Sequence, residues 1–217
     1  VKDIKPAEVD IKPKVYYVDV EVGSDKFIPS DEATEEIILL SLIAEGKTLT
    51  FIVADKERVE KKNNSIVMYV ETEYDLLWNF VRFLLKYEPD IIIGWNLHYD
   101  LEYLINRLKK NGIAFDLLSI ADTFDFYEAY RRLYKQPTYR LNDVAVYEGF
   151  VTRDEVVEWD EAYKAYQEGD YDKIIYRYNQ RHVKWLDELN KKHRIFDFYY
   201  RLKELSGVSK MEDTLTT

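Results

Sequence analysis

Between residues 65 and 96 the apolar pattern changes period twice, and few folds accommodate that. Residues 65–70, SIVMYV, form a short strand-like run. Residues 73–87, EYDLLWNFVRFLLKY, then place Leu76, Leu77, Phe80, Leu84 and Tyr87 at helical spacing behind a Thr72 N-cap. Pro89 stops that helix, and DIIIGWN at 90–96 returns to a short buried strand. A strand, a crossover helix and a second buried strand predict an α/β chain, a sheet with helices packed on it. Three more strands are expected upstream, at 15–22, 36–44 and 48–53, with EGK as a tight turn before the third. The polar stretch KERVEKKNN separates them from 65–70. Downstream, 100–112 reads as an amphipathic helix ended by Gly112, and the C-terminal half is mostly helical: 124–134, 140–149, and 160–205 broken near Gly169.

Composition narrows what such a sheet serves. At 217 residues the chain has the length of one domain, and 47% hydrophobic residues exclude wholesale disorder. No apolar run approaches the ~18 residues of a membrane span, and no stretch of the sequence reads as a signal peptide. The absence of cysteine rules out disulfides and thiolate metal sites, which fits a reducing cytosol. With three histidines, a histidine-rich zinc site is excluded, so any metal is expected to be held by oxygen, as Mg²⁺ or Mn²⁺ are. The net charge of −10 argues against a broad nucleic-acid surface but leaves room for a local one. Residues 1–14, charged and carrying two prolines, read as a lead-in, and the start at Val1 suggests an excised domain.

Three constellations carry chemistry. In VYYVDVEV at 15–22, residues i and i+2 share a face, so Asp19 and Glu21 project together while Val18, Val20 and Val22 face the core. Two such carboxylates repel unless a cation lies between them, although taken alone a charge pair on an edge strand beside a turn is the commoner explanation. In GWNLHYDLEYLINR at 94–107 a buried strand ends beside a helix opened by Asp100, where α/β folds place ligands; Asp100 as a simple helix cap is the alternative. In YRYNQRHVKWLDEL at 176–189, Tyr178 and His182 lie four apart on one helix face, as a structural aromatic–histidine pair also would.

In this order the three segments resemble the 3′–5′ proofreading exonuclease domain of family B DNA polymerases. Asp19 and Glu21 match its Asp-x-Glu motif, and Asn96 with Tyr99-Asp100 matches its second motif at an interval one residue shorter than in many members. Tyr178-Asn-Gln-Arg-His182-Val stands where the family has Tyr-x-x-x-Asp. The resemblance runs from about residue 12 to the end. It implies an RNase H-like fold, a mixed central sheet packed by helices, with an exonuclease domain at 15–205 and the start of a connection toward a polymerase palm at 206–217. It implies two Mg²⁺ or Mn²⁺ ions held by Asp19, Glu21, Asp100 and the residue at 182, with Tyr178 orienting the attacking water or the scissile phosphate. Asn96 and Tyr99 would position substrate, and Phe27 would stack on the 3′-terminal base. The substrate would be the single-stranded 3′ end of a DNA primer, and the partners the palm and other domains of one monomeric, cytoplasmic or nucleoid chain. Arg107, Lys109, Arg131, Arg132, Arg177 and Arg181 are candidate phosphate contacts, though charged helix faces explain most of them.

His182 departs from the pattern. An imidazole is a poor partner for Mg²⁺, and it removes a negative charge from a site meant for two dications. Severely impaired Mg²⁺-dependent cleavage is therefore expected, whether the histidine is an engineered change or the mark of a decayed site. Asp187, five residues on, is turned away from the Tyr178 face and is not expected to substitute. A non-catalytic module that binds primer DNA and braces the polymerase is the main alternative, and a stand-alone nuclease acting on RNA a weaker one.

Overall fold

The computed structural model describes residues 12–216. Among the described residues seven strands form one mixed sheet: β1 (Val15–Val22), β2 (Ile37–Ala44), β3 (Lys47–Val53), β4 (Arg58–Lys62), β5 (Ser65–Val70), β6 (Ile91–Gly94) and β7 (Asp122–Asp125), in the order β4-β5-β3-β2-β1-β6-β7. β1, β2 and β3 are an antiparallel meander. Its second turn puts Glu45 and Gly46 at φ 50° and 74°, the paired positive values that a two-residue hairpin turn requires. β6 runs parallel to both β1 and β7.

Helices cover both faces. α1 (Glu73–Tyr87) and α2 (Leu97–Lys110) bury Leu76, Leu77, Phe80, Leu84, Leu104 and Leu108 against Tyr16, Val18, Leu40 and Phe51. On the other face lie α3 (Phe126–Leu133), α4 (Leu141–Tyr147), α5 (Trp159–Gln167), α6 (Gln180–His193) and α7 (Ile195–Ser206). There Tyr17, Ile91 and Ile93 meet Val183, Leu186 and Tyr199, while Leu39, Ile52 and Val67 meet Ala162, Ile174 and Ile175. The segment 211–215 also packs on this side, with Met211 and Leu215 buried.

Several sequence expectations are corrected here. β1 lies inside the sheet, and Asp19 and Glu21 are buried beneath the helical layer, so they are not a solvated charge pair on an edge strand. β4 lies within KERVEKKNN, where a mostly exposed edge strand shows no apolar alternation to read. Phe124 and Asp125 end β7 instead of opening a helix. The stretch read as 160–205 is α5, a π-helical segment Lys173–Asn179 leading directly into α6, and α7 beyond Arg194 at φ 55°. Arg107 leaves the set of candidate phosphate contacts: its guanidinium is buried against Glu73 (Nε–Oε1 2.8 Å, Nη2–Oε2 2.5 Å) and also donates to the Ala33 carbonyl. Glu73 further accepts from the Ile37 N–H and from Asn111, tying α1, α2 and the start of β2 together.

Candidate active site

β1 pairs with β6 only over Val15–Tyr17, opposite Ile91–Ile93. Beyond that point β1 continues alone on this side, so Asp19 and Glu21 lie past the carboxyl end of β6, the place where parallel strands leave a crevice. Gly94 makes the exit possible. A Cβ there would meet Leu97 Cδ1 at 2.7 Å and the Val18 carbonyl at 3.2 Å. Asn96 then takes the left-handed conformation, φ 58° and ψ 43°, and α2 starts at Leu97. Asp100 therefore does not cap α2, contrary to the capping alternative; it lies inside the first turn with its side chain buried.

From the opposite layer, the π-helical segment and α6 lower three side chains onto the carboxylates. Asn179 Nδ2 donates to Asp19 Oδ2 at 2.6 Å and to Glu21 Oε1 at 3.1 Å. His182 Nδ1 lies 3.1 Å from Asp19 Oδ2 and 3.8 Å from Glu21 Oε1. Tyr178 packs on His182, with ring centroids 4.4 Å apart, and on Trp159 at 5.6 Å. Trp159 Nε1 and the Tyr163 hydroxyl donate to the carbonyls of Ser24 and Gly23, which fixes this aromatic roof over the end of β1. The π-helical winding is rare and concentrates at functional sites. Here it delivers Tyr178 and Asn179 together.

His182 Nε2 faces Asn142 Oδ1 at 3.2 Å, and the Asn142 amide nitrogen donates to the Val157 carbonyl, so Nε2 is the donor. Among the described residues, Asp19, Glu21 and His182 form a group of potential metal ligands whose atoms all lie within 4.8 Å of one another. This donor set fits one divalent ion, and its nitrogen suits Mn²⁺ or Zn²⁺ better than Mg²⁺. Asp100 is not one of the three, but its charge is felt there.

Burial first, then the neighbouring Asp19 and Asp125, push Asp100 well above the usual carboxylate range. Burial, Asp19 and more weakly Asp100 push Glu21 up too, against the Asn179 hydrogen bond that lowers it. Burial and the same two β1 carboxylates raise the Tyr178 phenol, which keeps it a donor. Raised carboxyl groups hold protons that a metal must displace. Cation affinity is thus expected to climb as pH rises through these elevated values, more steeply than ordinary carboxylates allow. Calorimetric Mn²⁺ titrations at pH 6 and pH 8 check this, and equal affinities would contradict it.

Of the other expected residues, Phe27 is 78% exposed and its ring meets Tyr99 at 5.6 Å, so it is not tucked into the core. Tyr99 donates its hydroxyl to the Ile28 carbonyl, bracing that loop. Asp187 pairs with Lys191 and stays outside the site, as expected. Arg131 pairs with Glu128 and Arg181 donates to the Glu155 carbonyl. Sequence reasoning missed Asn142, Asp125 and Trp159. Asp125 accepts from the backbone N–H groups of Asn96 (3.1 Å) and Tyr127 (2.9 Å), locking the turn before α2 to β7. It caps α3, a place hidden from the sequence because that helix was read as starting at 124.

A profile of the DNA polymerase family B exonuclease domain matches residues 2–123, more than half of the chain. The chain is 29% identical over 245 aligned positions to a DNA polymerase of Thermococcus gorgonarius, covering 94% of this chain and 31% of the relative. It is 30% identical to a DNA polymerase of Thermococcus kodakarensis, with 86% and 13% covered, and 31% identical to one of Thermococcus sp. strain GE8, with 76% and 11% covered. The chain thus spans about a third or less of the length of these relatives.

Proposed function

Because the chain belongs to the family of exonuclease domains of family B DNA polymerases, we propose that it hydrolyses the 3′-terminal phosphodiester of single-stranded DNA through the site on β1. The observation that carries this reading is the convergence of Asp19, Glu21 and His182 within 4.8 Å beneath Tyr178. Exonuclease domains of this family use divalent metals, and a buried acidic and histidine group is present. Asp19, Glu21 and His182 would hold one ion, and Asp100 with Asp19 would face a second. Such ions activate a water and neutralise charge on the leaving 3′ oxygen.

The chain's own groups do the rest. Tyr178, kept as a phenol, donates to the attacking water or to a phosphate oxygen. Asn96 and Tyr99 line the approach of the strand, and Phe27 offers an exposed ring to the terminal base. Stacking of this kind is worth ~1–3 kcal/mol per base. Phe27→Ala is accordingly expected to weaken single-stranded DNA binding roughly tenfold, with its melting temperature unchanged because the ring buries little. Fluorescence anisotropy with a labelled oligonucleotide, beside a thermal melt, checks both halves. The remaining domains of a longer polymerase chain are the proposed partners.

His182 makes Mg²⁺-supported cleavage weak on this reading, and Mn²⁺ the better cofactor. A second reading, a DNA-holding module without cleavage, is favoured by the one contact His182 makes with Asp19, since a paired carboxylate resists a metal. Digestion of 3′-labelled single-stranded DNA in Mg²⁺ and in Mn²⁺ separates the two. Slow loss of label in Mn²⁺ supports the nuclease. Tight DNA binding with an intact label in both metals supports the module.

A further inference from the structure

Asn179 has no assigned role in the expected metal centre, yet it is fully buried and carries, among the described residues, a buried side-chain atom without any hydrogen-bond partner, Oδ1. Orphaned buried acceptors are uncommon and ask for an explanation. The head of this amide lies at the centre of the candidate site, with Nδ2 at 2.6 Å from Asp19 Oδ2 and 3.1 Å from Glu21 Oε1. Adjacent ligands of a six-coordinate ion with bonds of about 2.1 Å stand about 3 Å apart. The amide head therefore occupies a position that a ligand would take relative to both carboxylates. Its backbone cannot withdraw: the next residue, Gln180, is also fully buried and donates to Thr50 Oγ1 and Ser65 Oγ, both at 2.9 Å, pinning this turn to β3 and β5. Rotation about the terminal torsion remains, and it exchanges Oδ1 with Nδ2.

We propose that Asn179 is a fourth side chain of the metal centre, its amide clamping Asp19 and Glu21 through Nδ2 in the metal-free state and turning over to present Oδ1 to a bound cation. This rests on the β1 site being a cation site. The turnover answers two electrostatic demands with one side chain. Without a cation, two carboxylates need a donor between them; with one, an oxygen serves better, and a neutral amide oxygen adds a hard ligand to a set that His182 has softened.

Zn²⁺, diamagnetic and suited to mixed nitrogen and oxygen ligands, is the probe. In the metal-free protein the Asn179 side-chain ¹H–¹⁵N resonances, identified by their absence from Asn179→Asp, should carry the downfield shift of amides bound to carboxylates. At Zn²⁺ saturation they should lose it. By calorimetry at pH 8, Asn179→Asp should bind Zn²⁺ at least tenfold more tightly than the parent chain, and Asn179→Leu at least tenfold more weakly. Resonances unmoved at saturation, or affinities of both variants within twofold of the parent, would overturn the proposal. An Asp19→Asn chain separates the two levels. If it loses Zn²⁺ binding while the Asn179 variants keep parental affinity, the centre stands and only the role of Asn179 falls. If Asp19→Asn binds Zn²⁺ like the parent, the β1 site itself is wrong.

Discussion

Replacing His182 by aspartate is expected to raise Mg²⁺-dependent hydrolysis of DNA 3′ ends by at least about a hundredfold, each factor of ten being about 1.4 kcal/mol of barrier. The imidazole reaches Asp19 through Nδ1 at 3.1 Å and is held from behind by Asn142. On the proposed reading it occupies a ligand position with a nitrogen that Mg²⁺ accepts poorly, in contact with the carboxylate the metal would need. Aspartate returns a hard oxygen and a negative charge. The change also has a structural cost, because the ring packs on Tyr178 and on Trp185 (centroids 5.6 Å) and a smaller side chain leaves a gap there. A lower melting temperature in the metal-free variant, regained on adding Mg²⁺, is the expected companion result. A single-turnover assay beside a thermal melt reads both.

The largest expected loss of stability lies far from the chemistry. Truncating Glu73 to alanine leaves the Arg107 guanidinium buried without its paired carboxylate, frees the Ile37 N–H and removes one of the two acceptors of the Asn111 amide. Breaking a buried ion pair from one side costs about 3–5 kcal/mol. At ~2–4 °C per kcal/mol for a chain of this size, the melting temperature should fall by roughly 10 °C. Replacing both partners with apolar residues of similar volume should recover most of that loss. If Glu73→Ala instead melts within a degree or two of the parent, Arg107 is not held by this pair. Its candidacy as a phosphate contact would then reopen.

Elements whose burial pattern is one-sided or continuous were readable from the residues. α1 was bounded to the residue because Thr72 caps it, accepting from the Asp75 N–H, and Pro89 follows it. β4 was not readable, since an exposed edge strand leaves no apolar trace, and β7 was absorbed into α3 because Phe124 and Phe126 suit either period. The π-helical winding that brings Tyr178 and Asn179 to β1 depends on tertiary packing, against which local propensity is silent. Within the site, Asp19 and Glu21 announced themselves by alternation on a strand. Asn142 and Trp159 did not, because what singles them out is a hydrogen bond to a distant residue: Asn142 to His182, and Trp159 to the Ser24 carbonyl. Arg107 misled for the converse reason. A basic residue on an amphipathic helix reads as solvated, and only the fold reveals its carboxylate partner 34 positions away.

The claim on which the functional reading depends is that the Asp19–Glu21 pair on β1 is the centre of hydrolysis. Digestion of 3′-labelled single-stranded DNA in Mg²⁺ by two chains tests it: His182→Asp alone, and His182→Asp combined with Asp19→Asn, which keeps the shape of the side chain and removes its charge. Stepwise release of nucleotides by the first chain and an intact label with the second is the expected result. Equal digestion by both, or none by the first although it is folded and binds metal, would contradict it.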